Sequence, residues 1–405
     1  MEYFFRKDLK DKEENRISVK RAKINLALNE SNINPLSFFS EEDFLKLKNS
    51  EINRYPTEEY IEPLKDKLVY WLNDLSNKAA SKIEKEQILI ANGIDDLLYY
   101  LFIALNEKGT NVLINVPCYP DYKNYGRSVG LNFIEIPLIE NKKNNIDLLE
   151  NLQARSAFGA DSNSRIDNLI FDYDFHIDVK KIIKYGKKRN VKAIIFTNPN
   201  NPTGTLFSLA DVIFVAQSLS NKLVILDEAY YEYSLHTALP YIEQFPNLII
   251  LRTFSKGFSS PGLRFGYLVG NAEVVKVLRK VIPVFPVSQV TIDIAKILID
   301  KKDNLQKIQK DIINERERIF NLLNKIRKEK DSIAQVYKSY TNFISFKLKS
   351  NNDTISLYNF LQEKGISIRN VSSKFLDNLL RVTISSYDEN EVFLSCVQEY
   401  FDKKN

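Results

Sequence analysis

Cysteine and histidine are almost missing from this sequence. Of its 405 residues only Cys118 and Cys396 carry thiols, far apart and without partner spacing. Neither a disulfide framework nor a zinc site is encoded, and a reducing cytoplasm fits such usage. The histidines are His176 and His236, and neither stands beside another metal ligand or a serine-nucleophile motif. No metal site is expected, so any chemistry must fall to lysine, tyrosine, aspartate or a bound cofactor. Long apolar runs are lacking too: none approaches the roughly 18 to 20 residues that cross a bilayer. The opening MEYFFRKDLKDKEENR is charged from Arg6 onward, without the apolar stretch and small-residue cleavage site of a signal peptide. Charge of one sign is also scarce, since 57 Lys and Arg against 52 Asp and Glu leave +5. No block of like charges forms an arm for phosphate backbones. The expectation is a cytoplasmic protein with neither a membrane nor a nucleic-acid partner.

What is present is ample apolar matter for a core: 44% of residues are hydrophobic, 12% aromatic and 27% charged. That balance excludes a disordered tail, a collagen-like fibre and a disulfide-stapled miniprotein. At roughly 100 to 200 residues per domain, the length suits one large and one small packing unit. Asn111 to Val116, Lys192 to Thr197, Lys222 to Asp227 and Asn247 to Arg252 are short, rich in β-branched residues and nearly continuous in apolar character. Strands buried on both faces read in this way, which predicts a largely parallel sheet flanked by helices. Helical patterns stand between them at Glu59 to Leu75, Ile94 to Leu105 and Ser208 to Ser218. The fold class is α/β, doubly wound.

From about Ser288 the texture changes to a long charged helix, Asp300 to Lys330. Weak strands at Asn342 to Lys347 and Leu379 to Ser385 follow, with helices between and after. The pattern predicts a large domain over 51–287 and a small α+β domain over 288–405. The segment 1–50 has no strong pattern of its own and is expected to pack on the small domain. Residues 141–175, with clusters of Asn, Ser, Asp and Gly, read as a long loop.

Several chemistry-bearing residues fall just after strands, where the carboxyl ends of a parallel sheet open on a ligand crevice. Lys256 lies in RTFSKGF; taken alone it is as readily a solvated surface lysine. Asp227 ends LVILD, where its carboxylate can hold a protonated heterocyclic nitrogen or, equally, cap the next helix. Tyr230, three residues on, can present its phenol to the same ligand. NPNNPTG, Asn198 to Gly204, holds the Asn201 amide rigidly over the crevice through its prolines and turn formers. ANGIDD follows Ile88 to Ile90 and opens a helical pattern at Gly93, so the amides of Ile94 and Asp95 can donate to an anion. SKGFSSPGLRFGY adds Ser255 and, eight positions after Lys256, Arg264. A hydroxyl, backbone donors and a guanidinium together suit a phosphate dianion. Tyr119, after the strand ending at Val116, can stack on a planar heterocycle. Cys118 beside it reads as a small packing residue.

Together these motifs resemble the fold-type I pyridoxal-5′-phosphate enzymes of the class I/II aminotransferase family, and within it the histidinol-phosphate aminotransferase-like group. The resemblance covers nearly the whole chain: NESNINP, RYP at 54–56, NGIDD, PCYPDY, NPNNPTG, LDEAYYEY, RTFSKGFSSPGLRFGY and LLRVTIS stand in the family's order. It implies a large domain with a mostly parallel seven-stranded sheet, a smaller α+β domain, and pyridoxal 5′-phosphate as cofactor. By the same resemblance Lys256 matches the lysine that carries the cofactor as a Schiff base and shuttles a proton. Asp227 matches the partner of the ring nitrogen, and Tyr230 and Asn201 the residues bonding the ring hydroxyl. Tyr119 matches the stacking aromatic, and Ser255, Arg264 and the turn Gly93-Ile94-Asp95 the phosphate cup. Tyr55 matches a tyrosine that reaches the phosphate of a neighbouring subunit, which implies a homodimer with shared active sites. Arg381 matches the arginine that clamps the substrate carboxylate, with Arg369 and Asn32 as further substrate contacts.

The sequence departs from the family's habit in places. The phosphate turn reads Gly93-Ile94-Asp95-Asp96, with one hydroxyl fewer than usual, and Pro261 stands where alanine is common. Residues 141–175 hold extra length. The resemblance implies transfer of an amino group between an amino acid, which a phosphate could mark, and a keto acid or ketone. The alternative it leaves open is decarboxylation of a phospho-amino acid, because NINPL, Asn32 to Leu36, also looks like the opening of threonine-phosphate decarboxylases. A ligand-sensing regulator on the same fold would need an added DNA-binding domain, for which the residues before RYP show no pattern.

Overall fold

A strand buried on both faces needs no polar side, and the apolar runs that satisfy this condition do form the central sheet. The computed structural model describes residues 21–75, 82–141, 173–330 and 332–404. In chain order the first strands are β1 (Ile24–Asn25), β2 (Ile88–Ala91), β3 (Asn111–Val116), β4 (Asn132–Pro137), β5 (Ile139–Glu140) and β6 (Phe175–His176). Then come β7 (Val191–Thr197), β8 (Leu223–Asp227), β9 (Leu248–Thr253), β10 (Gly266–Gly270) and β11 (Ile333–Val336). The last are β12 (Phe343–Leu348), β13 (Ile366–Ser367), β14 (Arg369–Asn370) and β15 (Leu379–Thr383). The helices are α1 (Glu41–Lys48), α2 (Glu58–Leu75), α3 (Ile94–Leu105), α4 (Asp121–Ser128), α5 (Val179–Gly186) and α6 (Leu209–Ser218). They continue with α7 (Tyr231–Ser234), α8 (Ala272–Leu278), α9 (Gln289–Asp300), α10 (Lys302–Glu329), α11 (Asn351–Glu363) and α12 (Tyr387–Lys404).

The main sheet has seven strands in the order β2-β10-β9-β8-β7-β3-β4. From β9 to β4 all neighbours are parallel, while β10 is antiparallel to both β9 and β2. Side chains alternate between faces, as a strand requires. Ile194, Phe196, Val224 and Leu226 pack with Leu64, Leu68, Val212 and Val215 of α2 and α6. Ala193, Ile195 and Ile225 pack on the other face with Leu97, Leu101 and Phe102 of α3. Helices cover both faces, which is the doubly wound α/β arrangement. Among the described residues no helix is long and apolar enough to cross a membrane.

A second sheet, β11-β12-β15-β14, is antiparallel and lies against α10, α11 and α12 in a core of its own that includes Ile319, Phe346, Leu357, Val382 and Val397. The long charged helix expected from Asp300 to Lys330 is α10, set off from the helix before it by a break at Lys301. Asp300 closes α9, Lys301 leaves helical geometry at φ −92 and ψ 15, and α10 restarts at Lys302. Ile292, Ala295 and Leu298 of α9 share the large core with Ile61 and Leu64, so the change of core falls along α10 and not at Ser288. The segment before Ser50 also divides. β1 pairs with β13 of the small unit, but α1 packs on α9. A capping box sets the start of α1: Ser40 Oγ accepts from the Asp43 amide at 3.2 Å while the Asp43 carboxylate accepts from the Ser40 amide at 2.9 Å. Most of the long loop expected over 141–175 lies outside the described residues. Its two ends are joined, because β5 and β6 pair antiparallel and the Asn141 amide donates to Asp174 O at 2.8 Å.

Candidate active site

The topology delivers the chemistry to one edge. Strands β3, β7, β8 and β9 end there at Val116, Thr197, Asp227 and Thr253, and β10 begins there at Gly266. A cavity of about 780 Å³ opens at this edge, walled on the far side by Arg369 to Ser373 and Arg381 of the small unit. Lys256, Asp227, Tyr230, Asn201 and Tyr119 all line it.

Lys256 Nζ donates to the carbonyls of Leu28 and Asn29, each at 3.2 Å. Burial, and then the neighbouring Arg381 guanidinium, push its ammonium down to about 8. Asp227 is 4% exposed and its carboxyl is pushed up to about 6 by burial, against the hydrogen bonds it accepts. Those come from Tyr122 Oη at 2.6 Å and the Ala229 amide at 3.0 Å. The capping role open to Asp227 is thus reduced to this one amide, and its second oxygen serves a tyrosine. Tyr122 Oη also meets Thr197 Oγ1 at 2.8 Å. Tyr119 sets its ring edge-on to Tyr122, with centroids 5.5 Å apart. Tyr230 Oη accepts from Asn29 Nδ2 at 2.9 Å, and its own acidity is weakened by burial.

NPNNPTG divides its labour. Asn198 accepts from the Phe207 amide at 2.8 Å and Asn200 Nδ2 donates to Pro117 O at 3.2 Å, so both staple the turn. Asn201 is left to face the cavity, and its Oδ1 accepts from Arg381 Nη1 at 2.7 Å. Arg381 Nη2 donates to Ala27 O at 2.9 Å, while its Nε is buried without a hydrogen-bond partner among the described residues. Burial chiefly, with the Arg369 charge also opposing its ionisation, lowers Arg381 to about 10.

The anion cup combines three elements. Gly93 caps α3 at φ +91, a conformation that favours glycine. A Cβ there would lie 2.8 Å from Arg264 Nη2. The amides that follow, Ile94 and Asp95, are the unsatisfied first donors of a helix. Gly266 lets β10 approach this turn, since a Cβ on it would lie 2.7 Å from the Gly93 carbonyl carbon. Arg264 Nη1 reaches Ser255 Oγ at 3.5 Å, and Arg264 Nη2 is paired with Asp95 Oδ2 at 2.9 Å.

One expected substrate contact lies elsewhere. Asn32 is exposed and does not line the cavity. Asn29, three residues earlier in the same NESNINP motif, is the buried one, at φ +55. Tyr55 is 74% exposed, stacked on Phe285 at 4.5 Å and absent from this cavity wall. Cys118 lines the cavity with its thiol pushed up to about 12 by burial, which leaves it unreactive. Tyr122 and Asn29 went unnamed in sequence, although PCYPDY and NESNINP contain them. Among the described residues no cluster suits a metal ion.

An amine, a buried carboxylate and an anion cup on the carboxyl edge of a doubly wound sheet define a pyridoxal-phosphate enzyme. The family model described as aminotransferase class I and II matches residues 21–161 and 163–396. The chain belongs to that family and is a pyridoxal-phosphate-dependent aminotransferase. It is 30% identical over 354 residues to the histidinol-phosphate aminotransferase of Caldanaerobacter subterraneus subsp. tengcongensis, covering 87% of this chain and 86% of that one. Its fold matches the histidinol-phosphate aminotransferase from Sinorhizobium meliloti in complex with pyridoxal-5′-phosphate, with a TM-score of 0.74, 21% identity and coverage of 95% and 93%. It also matches the L-threonine-O-3-phosphate decarboxylase from Porphyromonas gingivalis, with a TM-score of 0.67, 19% identity and coverage of 94% and 99%.

The residues present fit the cofactor. Gly93 leaves room for the Arg264 guanidinium, which any Cβ would crowd, to stand over a helix N-terminus where a phosphate is favoured. Asp227, disfavoured as a lone buried anion, gains from a cation beside it.

Proposed function

We propose that this aminotransferase acts on a phosphorylated amino donor, of which histidinol phosphate is the first to test. The observation that carries the reading is that Arg369 and Arg381 are direct partners across β14 and β15. Like charges placed opposite each other are unfavourable, so a pair lining a cavity is suited to a substrate with more than one negative charge. The names of the relatives point the same way. A screen of amino compounds, each with and without phosphate, for keto product is the test. Equal turnover of both sets would reject the phosphate requirement.

In this reading Ser255, Arg264 and the Ile94 and Asp95 amides hold the cofactor phosphate, and Asp227 holds the protonated ring nitrogen. Tyr230 and Asn201 face the ring hydroxyl and Tyr119 packs on the ring. When bound, the cofactor supplies an electron sink for the bonds at the substrate's amino-bearing carbon. Lys256 Nζ, neutral in a large fraction near pH 8, accepts the proton from that carbon. Arg381 is offered to the substrate through Nε, while Nη1 and Nη2 stay anchored to Asn201 Oδ1 and Ala27 O.

The decarboxylase alternative leaned on Asn32 to Leu36, and that segment does not line the cavity. Assay of evolved CO2 against keto product separates the two reactions. We also propose a cytoplasmic homodimer in which Tyr55 serves the neighbouring subunit's site, supported by its exposure away from its own cavity. The division into a large and a small unit belongs to the same proposal, with its boundary moved into α10, between Leu305 and Ile312.

A further inference from the structure

A lysine side chain has four freely rotating bonds, so where its amine points depends on how firmly its peptide planes are held. The turn bearing Lys256 is braced from inside by two features. The Ser259 amide donates to Lys256 O at 3.0 Å, and Phe254 and Phe258 stack at 3.8 Å across the turn. Phe258 and Phe254 in turn pack on Trp71 and Phe265, with centroids 5.1 and 4.7 Å apart, which holds the turn to the large core. Two side chains tie it to the other core. Tyr233 Oη of α7 donates to Lys256 O at 3.1 Å, and Gln309 Nε2 of α10 donates to the next carbonyl, Gly257 O, at 2.8 Å.

Packing leaves little freedom around these two bonds. A Cβ on Gly257 would sit 2.4 Å from Glu232 Cγ, so the turn is pressed flat on α7. Glu232 is buried, with its carboxyl pushed up to about 7 by burial, so it brings little charge to the contact. Arg316, two turns beyond Gln309 on α10, donates from Nη1 to Thr341 O at 3.0 Å and to Tyr233 O at 3.4 Å. Thr341 leads into β12, which pairs with β15 at Ser345 and Arg381. The braces on Lys256 and the arginine facing the substrate therefore share one frame, α10.

We propose that Tyr233 and Gln309 are positioning residues that orient Lys256 through its own and the following carbonyl, tying the amine to the small unit that carries Arg381. The inference rests on Lys256 as the cofactor-bearing amine. Both side chains donate to backbone carbonyls and neither lines the cavity, so they act through Lys256 and do not meet the substrate.

The test uses the holoenzyme with Tyr233→Phe, Gln309→Leu, the double variant and the isosteric Gln309→Glu. Each of the first two is expected to keep the cofactor's visible absorbance but shift the pH midpoint of that absorbance. Each lowers kcat about 10-fold with the donor KM nearly unchanged, because misplacement acts on the chemical step. Gln309→Glu should regain kcat as pH falls, since only the protonated carboxyl can donate to Gly257 O. Should Gln309→Leu fail to fold, Tyr233→Phe and Gln309→Glu carry the test. A double variant with wild-type midpoint and kcat, or a rise in KM alone, overturns the inference. A wild-type protein that stays colourless with excess pyridoxal phosphate overturns the reading of Lys256 itself.

Discussion

Arg369 and Arg381 stand directly opposite one another on β14 and β15, two guanidinium groups on one cavity wall. Arg381 is 8% exposed and held at two points, whereas Arg369 is half-buried at the end of a two-residue strand. Their tasks should separate accordingly. Arg369→Gln is expected to raise KM for a phosphorylated donor about 10- to 100-fold, the worth of a charge-assisted hydrogen bond, while sparing the unphosphorylated analogue. Arg381→Gln should depress turnover of both. Paired steady-state assays on the two donors decide, and an Arg369 variant that harms both equally refutes the division.

Lys256 makes a second prediction through its pH dependence. Its ammonium is lowered to about 8, and only the neutral amine can capture an aldehyde. The rate at which the apo chain takes up pyridoxal phosphate should therefore climb with pH through about 8 and level off above it. Removing the Arg381 charge relieves part of the repulsion, so Arg381→Gln should move the midpoint upward. Stopped-flow absorbance measures both, and a rate flat between pH 6 and 9 contradicts them.

Asp227 predicts opposite effects on stability and on catalysis. Its folded pKa of about 6 lies above the ordinary value of 3.8, so the folded state binds more protons than the unfolded one between those limits. Stability contributed by this group is present at acid pH and is lost as pH rises through that window. Asp227→Asn should then make the apo chain more stable near neutral pH, by about 2 to 3 kcal/mol, with a flatter profile between pH 4 and 6. The holoenzyme should lose about 100- to 1,000-fold in kcat with the cofactor still bound. Denaturant titrations across pH, beside kinetics, would expose a failure on either count.

Tyr55 makes the last prediction. It lies in the open, stacked on Phe285, with Val284 exposed nearby. If it completes a partner's cup, subunits carrying Tyr55→Ala and subunits carrying Lys256→Ala should regain activity when mixed and refolded together. One of the two sites in each hybrid then has both residues intact. A mixture no more active than its parts, or a protein that sediments as a monomer at assay concentration, removes the shared site.

Sequence made the sheet edge legible for a physical reason. Strands buried on both faces print as apolar runs, and whatever polar residue ends such a run must emerge at the crevice, as Asp227 does after Leu223–Leu226. The two-residue strands β1, β5, β6, β13 and β14 have no such print, because their pairing is decided by what lies next to them. Asn29 and Asn32 look alike in NESNINP. What chooses Asn29 is a left-handed backbone at φ +55 and the Tyr230 hydroxyl far along the chain, neither written in the motif. Tyr122 escaped because its role is borrowed: it meets Asp227 and does not line the cavity. The break at Lys301 parts the mainly apolar α9 from the charged α10 with no proline or glycine to mark it, whereas Ser40 and Asp43 carry the spacing of the α1 capping box openly.

The pairing of β5 with β6 brings the chain back to the point where it left, so the stretch between Glu140 and Phe175 enters and departs through a single doorway. A segment joined in that way can be swapped, trimmed or extended as a cassette, with little consequence for the path of the chain on either side. A change of length here should therefore leave every strand end that frames the chemistry in register.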